Sequence, residues 1–237
     1  MKIAMWSGPR NLSTALMYSF GARPDFAISD EPYYAAYLAH SGVVHPMQAE
    51  VLAAQSNDPA VVSEEVSGSI PGSLPHYYMK HMVHHMLSGF SLDWMDDVTN
   101  VFLIRHPARV VASYAAKRED PTLQDLGFAQ QAALLDHVLA LGQPGIVIAS
   151  EDIRADPEQA LRGLCAAIGL EFDPSMLKWP AGGHPDDGVW APHWYNAVHK
   201  STGFQGAEGP LPDLTGPYLG LVDQAMPFYE KLRRLKL

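Results

Sequence analysis

The sequence predicts one α/β domain over residues 1–237, with three α/β/α layers and a central, mainly parallel sheet. Five short apolar runs recur along the chain, and each precedes a polar residue and a helix-like stretch. Strands that alternate with helices in this way form parallel sheets with helices on both faces. With 237 residues, 47% of them hydrophobic, the chain is long enough to bury the core of such a domain. The apolar runs are 3–6, 26–28, 77–79, 101–104 and 145–149.

Helices are predicted after these runs from apolar spacing and from residues typical of helix ends. Leu12, Ala15, Leu16 and Phe20 recur at helical spacing after the first run. The later helices are predicted from a proline or N-cap start, a glycine stop or an amphipathic pattern. One of them begins at Pro107, and another runs from Asp156-Pro157 to a stop at Gly169. The other two cover 124–141 and 221–237, and the last of these has a basic end.

Residues 178–214 interrupt this periodicity and are rich in glycine, proline, tryptophan and histidine. A loop of this length in a compact domain is usually a functional lid or a disordered segment. The aromatic content argues against disorder, because disordered segments contain few aromatic residues. We therefore predict a lid over the functional site.

Composition limits the classes of partner. The net charge of −10 opposes binding to nucleic acid or to an anionic membrane, so local cations must hold any anionic ligand. No apolar run approaches the ~18 residues of a membrane span, and the first residues reach Ser7-Gly8 before a leader sequence develops, so we expect a cytoplasmic protein. Cys165, the single cysteine, is expected in the core.

The turn after the first strand has the features of a phosphate-binding loop. It reads Ser7-Gly8-Pro9-Arg10-Asn11-Leu12-Ser13-Thr14 and leads into a helix. Backbone N–H groups at a helix N-terminus bind phosphate, and Arg10 adds a full charge. The Walker pattern requires Gly-Lys-Ser/Thr at the end of the loop, which disfavours an ordinary ATPase or kinase. An ordinary turn capped by Asn11 or Ser13 is the alternative.

This turn resembles the phosphosulfate loop of the P-loop sulfotransferase family, Pro-Lys/Arg-Ser-Gly-Thr-Thr. The resemblance implies a P-loop-like sulfotransferase fold and the co-substrate 3′-phosphoadenosine-5′-phosphosulfate (PAPS), with 3′-phosphoadenosine-5′-phosphate (PAP) as its product. It also implies that Arg10 stabilises the leaving oxygen, while Ser13 and Thr14 help the backbone to hold the phosphosulfate. By the same match, the loop that binds the co-substrate comprises Gly8, Pro9, Arg10, Asn11, Leu12, Ser13 and Thr14.

A second stretch resembles the motif of the same family that holds the 3′-phosphate. It reads Phe102-Leu103-Ile104-Arg105-His106-Pro107, with Ser113 eight residues after Arg105. The resemblance assigns Arg105 and Ser113 to the 3′-phosphate. Independently, an arginine at a strand end and a serine on the next helix can converge on one phosphate. The alternative is an arginine paired with a surface carboxylate and a serine bonded to its own helix.

The family resemblance continues through residues 150–169 and then fails. The stretch Ser150-Glu151-Asp152-Ile153 resembles a family marker, and its acidic residues are expected to be structural. Beyond residue 169, the Arg-Lys-Gly segment that closes over the 3′-phosphate in many members is absent. Lys200 is a hypothetical substitute for it.

Two stretches compete for the catalytic base. Glu31 lies in Asp30-Glu31-Pro32, which resembles the stretch that carries the base in carbohydrate-type and bacterial sulfotransferases. Lys80 and His81 resemble the Lys-Thr-His stretch of the cytosolic enzymes, shifted by one residue. Such a shift on a strand reverses the face, so Lys80 matches better than His81. Glu31 is the first choice, and a carboxylate that stabilises a helix start is the alternative.

The remaining candidates concern a metal and the acceptor. His81, His84 and His85 have no partner at ligand spacing, so no metal is expected.

The predicted function is a sulfotransferase acting on a hydroxyl of a small molecule, and a homodimer is compatible with the sequence. An atypical P-loop phosphotransferase and a nucleotide-binding protein without turnover are the rival functions. The aromatic candidates for the acceptor pocket are Tyr33, Tyr34, Trp190, Trp194 and Tyr195.

Overall fold

The computed structural model describes residues 1–116 and 121–237. Its centre is a five-stranded sheet in the order β2-β3-β1-β4-β5, in which every neighbouring pair is parallel. Every predicted apolar run forms a strand, so the predicted parallel sheet is confirmed. The strands are β1 (Lys2–Ser7), β2 (Phe26–Asp30), β3 (His76–Met82), β4 (Thr99–Ile104) and β5 (Ile146–Ala149).

Helices follow the strands, as the alternating pattern predicts. Single 3₁₀ turns add Pro71–Ser73, Val83–His85, Asp93–Asp97 and Pro174–Leu177. The α-helices of the described residues are α1 (Ser13–Gly21), α2 (Tyr34–Ser41), α3 (Gln48–Ala54), α4 (Pro59–Ser67), α5 (Pro107–Ala115), α6 (Leu123–Leu126), α7 (Phe128–Ala140), α8 (Ser150–Ala155), α9 (Pro157–Ile168), α10 (Ala191–Trp194) and α11 (Pro217–Arg233).

The sheet buries both of its faces, which confirms the predicted three layers. Along β1, Ile3 and Met5 point to one core, whereas Ala4 and Trp6 point to the other, because successive side chains alternate between faces. The first core is completed by α1, α2 and α9, and it contains the predicted core thiol, Cys165. The second core is completed by α5, α7 and α11.

The predicted ends of α9 agree with the structure, whereas the helix predicted over 221–237 lies at Pro217–Arg233 and another predicted helix is divided at a glycine. Asp156 caps α9 through a bond from the Gln159 N–H at 3.0 Å, and Gly169 ends that helix with φ of 72°. The prediction of one helix over 124–141 is wrong, because Gly127 adopts φ of 76° and separates α6 from α7. A Cβ at this position would lie 2.6 Å from Val83 Cγ2, so only glycine allows the close approach.

Residues 178–214 run largely without regular structure and pack against the domain. A backbone bridge between Lys178 and Gly203 joins two parts of this segment. Trp190 and Tyr195 are buried with the α1 core, whereas Trp194 is exposed. Among the described residues, no helix is both long enough and apolar enough to cross a membrane.

Candidate functional site

The site residues predicted from the sequence gather at the edge of the sheet where the parallel strands end. β1 leads into the turn at residues 8–12, β2 leads into Glu31, and β4 leads into Arg105. β1 and β4 end side by side, with Ser7 opposite Leu103. Ligands of open α/β sheets bind outside the carboxyl ends of the strands. This edge is therefore the candidate site.

The turn between β1 and α1 has the backbone of an anion-binding loop. Arg10 and Leu12 adopt left-handed conformations, with φ of 64° and 73°. No side chain caps α1 at its N-cap, Leu12. Asn11 instead donates through Nδ2 to the Leu103 carbonyl oxygen at 3.2 Å. The structure therefore differs from the alternative of a turn capped by Asn11 or Ser13, and within the described residues the N-cap position gives the first N–H groups of α1 no side-chain cap.

Two residues of this turn show how closely it is packed. Leu12 stands where the resembled motif has glycine, and its left-handed backbone costs a non-glycine residue about 1–2 kcal/mol. A Cβ on Gly8 would lie 2.6 Å from the Leu126 carbonyl oxygen, so this position requires glycine. Strain of this kind is typical of functional sites, where the surrounding structure holds an unfavourable conformation.

The two predicted phosphate motifs meet through Arg10. Its Nε donates to Ser113 Oγ at 3.1 Å, and its carbonyl oxygen accepts from Arg105 Nη1 at 2.7 Å. Burial and the nearby charge of Arg105 lower the pKa of Arg10. Three residues predicted to bind the co-substrate are therefore neighbours, although about a hundred positions separate Arg10 from the other two in the chain.

A second cluster surrounds Glu208, which the sequence interpretation missed. Glu208 Oε1 accepts from Arg105 Nη2 and, at 2.7 Å, from Arg154 Nη1. Arg109 Nε lies 3.0 Å from Glu208 Oε2. Burial opposes ionisation, yet the hydrogen bond from Arg105 and the arginine charges lower the pKa of Glu208. Arg105 thus has a carboxylate partner, as the alternative for this residue requires, but Ser113 accepts a hydrogen bond from Arg10.

Glu31 and Lys80 belong to a third, buried cluster. Lys80 Nζ donates to Glu31 Oε1, to Asp30 Oδ1 at 2.9 Å and to the Tyr195 hydroxyl at 2.7 Å. The same hydroxyl donates to Asp30 Oδ2 at 2.7 Å and accepts from Trp190 Nε1 at 3.0 Å. Asp30 and Lys80 are paired residues on β2 and β3, so strand register places them side by side.

Burial and neighbouring charges shift the pKa values of Glu31 and Lys80 in this cluster. Burial raises the pKa of Glu31, although the charge of Lys80 opposes the shift. Burial opposes the charge of Lys80, but Asp30 and Glu31 raise its pKa overall. Glu31 also has φ of 45°, which places this carboxylate on a strained backbone at the end of β2.

His81 lies on the other face of β3. Its ring stacks on Trp6 with centroids 4.5 Å apart, and it is also in contact with Trp94. Burial lowers the pKa of His81 to about 3, and Nε2 has no hydrogen-bond partner among the described residues. Strand alternation therefore separates His81 from Glu31 and Lys80, and the structure does not bring it to the predicted site.

His84, His85 and Lys200 were also singled out in the sequence, and the structure shows where they lie. His85 stacks on Tyr34, and its Nδ1 lies 3.9 Å from Glu31 Oε2. Burial lowers the pKa of His84 to about 4. Among residues 1–116 and 121–237, no group of three or more His, Cys, Asp or Glu side chains has the arrangement of a metal site. Lys200 lines an open cavity of about 650 Å³ beside the start of α9.

Several site residues missed in the sequence carried weak signals. Arg109 follows Arg105 by four positions, and Arg154 lies on α8, the helix that directly follows β5, so both were candidates for the same sheet edge. Glu208 carried no signal, because a loop contact about a hundred residues away leaves no periodic pattern. Among the acidic residues expected to be structural, Glu151 accepts from the His106 N–H at 2.6 Å.

Comparison with known sequences assigns the chain to a described family. A family model described as a sulfotransferase domain matches residues 1–235. The chain is 38% identical over 232 residues to branched-chain-amino-acid aminotransferase-like protein 1 of Arabidopsis thaliana. Branched-chain-amino-acid aminotransferase-like protein 2 from the same plant is 36% identical over 232 residues. Each match covers 98% of this chain and 41% of the relative, so the chain spans about two fifths of these relatives.

Solved structures show the same fold at low sequence identity. The sulfotransferase domain from the curacin biosynthetic pathway has a TM-score of 0.56 and 17% identity, covering 94% of this chain and 96% of that one. A sulfotransferase from Alicyclobacillus acidocaldarius has a TM-score of 0.57 and 14% identity, covering 98% and 94%. The predicted P-loop-like fold is therefore confirmed.

Proposed function

Because the chain belongs to the sulfotransferase-domain family, we propose that it transfers a sulfuryl group from PAPS to a hydroxyl group of a small molecule. One observation carries the proposal. Arg10 contacts both Ser113 and Arg105, so the two phosphate motifs form one continuous surface. A nucleotide with phosphates at both its 5′ and 3′ positions matches such a surface better than ATP, whose phosphates form one chain.

In the proposed complex, the 5′-phosphosulfate lies on the turn at residues 8–14. The N–H groups at the start of α1 and the charge of Arg10 face the anion, with Ser13 and Thr14 in the first helical turn. Arg105 and Ser113 hold the 3′-phosphate. No metal is part of the proposal, since cations and backbone N–H groups supply the positive charge.

Glu31 is the proposed base. Its Oε1 is bonded to Lys80, which leaves Oε2 to accept the proton of the acceptor hydroxyl. The hydroxyl oxygen forms a bond to sulfur while the bond between sulfur and the bridging oxygen of the 5′-phosphate breaks. Arg10 stabilises the charge that develops on this leaving oxygen. A raised pKa makes Glu31 a stronger base than an ordinary carboxylate, provided that it is ionised.

Thermal unfolding with nucleotides tests the donor. PAP at about one hundred times its Kd should stabilise the folded chain by about 2.7 kcal/mol and raise its Tm. Arg105→Ala should weaken PAP much more than adenosine 5′-monophosphate (AMP), which lacks the 3′-phosphate. An unchanged Tm at millimolar PAP would refute the donor, and equal losses for both nucleotides would refute the role of Arg105.

Turnover is tested by PAP release from PAPS across a panel of hydroxyl acceptors, with Glu31→Gln as the comparison. We expect release that depends on an acceptor and on Glu31. Stabilisation by ATP together with ATP hydrolysis would instead support an atypical phosphotransferase. PAPS binding without transfer to any acceptor would support a nucleotide-binding protein without turnover.

A further inference from the structure

The three arginines around Glu208 come from separate parts of the sheet edge. Arg105 follows β4, Arg109 lies on α5, and Arg154 lies on α8. Their side chains are 18%, 14% and 20% exposed, and that of Glu208 is 5% exposed. One carboxylate thus faces three guanidinium groups, which leaves a net charge of about +2 in a partly buried place.

The carboxylate does not satisfy the hydrogen-bonding groups of this cluster. Among the residues that the structure describes, Nε of Arg105 and Nε of Arg109 are buried without a hydrogen-bond partner, and so is Oε2 of Glu208. Arg109 Nε and Glu208 Oε2 are close enough for an ion pair, but their alignment does not make a hydrogen bond. Arginine donates in a planar fork, and a phosphate monoester offers three acceptor oxygens and nearly two charges. The cluster therefore suits a phosphate better than the carboxylate it holds.

We propose that Arg105, Arg109 and Arg154 form one site for a phosphate monoester, and that Glu208 is displaced from this site when the nucleotide binds. The inference rests on the proposed function, because Arg105 is the residue assigned there to the 3′-phosphate. Arg109 and Arg154 then supply the cations that the absent Arg-Lys-Gly segment would provide. Glu208 acts as an internal competitor for the 3′-phosphate.

The backbone around Glu208 links this exchange to the loop. Arg154 Nε donates to the Gly206 carbonyl oxygen at 3.0 Å, and Arg109 donates to the Gly209 carbonyl oxygen. The same arginines therefore hold the chain on both sides of Glu208. A phosphate that recruits these donors also changes the contacts of residues 206–209, so donor binding and loop position are coupled.

Calorimetric titration of Glu208→Gln with PAP and with AMP tests the exchange. The variant should bind PAP about tenfold more tightly than the wild type, since no carboxylate charge has to be displaced, whereas AMP affinity stays unchanged. Its Tm without ligand should fall, because three arginines lose their counter-charge. Asp213→Asn removes an exposed carboxylate from the same segment and should change neither value. Should Glu208→Gln fail to fold, Glu208→Asp, which shortens the side chain, should bind PAP more tightly by a smaller factor.

Equal PAP affinity in Glu208→Gln and the wild type would overturn the exchange while leaving the PAPS proposal in place. A gain of the same size for AMP would also overturn it, because a general charge effect does not require the 3′-phosphate. Binding of PAP by no variant would instead refute the donor and, with it, the phosphate site.

The two additional arginines need their own variants. Arg109→Met and Arg154→Met should each weaken PAP by about tenfold, with little effect on AMP. Arg162→Met is the matched control, because Arg162 is an exposed arginine whose partner is Glu158 on the same helix. Loss of PAP affinity in the control alone, or in none of the three, would overturn the assignment of Arg109 and Arg154.

Discussion

Lys80→Met would remove an ammonium group that is bonded to both Asp30 and Glu31 in the buried cluster. The side chains of Lys80 and Asp30 are each 1% exposed, and that of Glu31 is 11% exposed. Removing one partner of a buried ion pair leaves an uncompensated charge and costs about 3–5 kcal/mol. Domains of this size are stable by about 5–15 kcal/mol, so the variant should fold but lose a large share of its free energy of unfolding.

The loss should depend on pH. Burial already raises the pKa of Glu31 in the wild type, and removal of the Lys80 charge should raise it further. A group whose pKa is raised by folding contributes stability below its unfolded pKa and loses that contribution as pH rises through the folded pKa. The free energies of unfolding of variant and wild type should therefore converge towards acid pH and diverge towards neutral pH.

Urea denaturation between about pH 5 and pH 8 measures both effects. Lys231→Met is a suitable control, because Lys231 pairs with Asp136 where both side chains are about half exposed. Such surface pairs contribute at most about 1 kcal/mol. If Lys80→Met cost no more than Lys231→Met at neutral pH, or if its cost grew on acidification, Lys80 would not be compensating buried carboxylates.

Two further substitutions test the packing of the site. Tyr195→Phe removes a hydroxyl bonded to Lys80, Asp30 and Trp190, so it should cost about 1–3 kcal/mol in urea denaturation; a loss below the precision of the method would contradict this role. Gly8→Ala should destabilise the chain by about 1–3 kcal/mol, because its Cβ would meet the Leu126 carbonyl oxygen. Gly163→Ala on α9, where a Cβ meets nothing within 4 Å, should instead stabilise by about 1 kcal/mol, and equal effects of the two would refute the steric reason.

Local patterns in the sequence were sufficient for the strands and for the helices with clear start or stop signals. Every strand contains a short apolar run, and the N-cap at Asp156 and the stop at Gly169 appear as predicted. The break at Gly127 was not predicted, and the contact that requires glycine there comes from Val83, which lies more than forty residues earlier. Helix propensity alone treats one glycine in an amphipathic stretch as a modest cost.

The same division between local and distant information holds for the site. Strand alternation alone indicated that Lys80 and His81 face opposite ways, and the structure has them on opposite faces. The order of strands places Arg10 beside Arg105, because β1 and β4 are neighbours. The partners from residues 178–214 follow no such rule, since loop contacts depend on tertiary packing rather than on period.

Residues 178–214, for which we propose a lid role, contribute to both charged clusters. Tyr195 closes the cluster around Glu31 and Lys80, and Glu208 closes the arginine cluster. Tyr195 and Glu208 are thirteen positions apart, so the proposed displacement of Glu208 by the donor would act on the same segment that supports the proposed base. Lid segments that bind at two places can link substrate binding to the assembly of a catalytic site. Donor binding would then adjust the surroundings of Glu31 before the acceptor arrives, and the strained backbone of Glu31 is a position where a small shift has large effects.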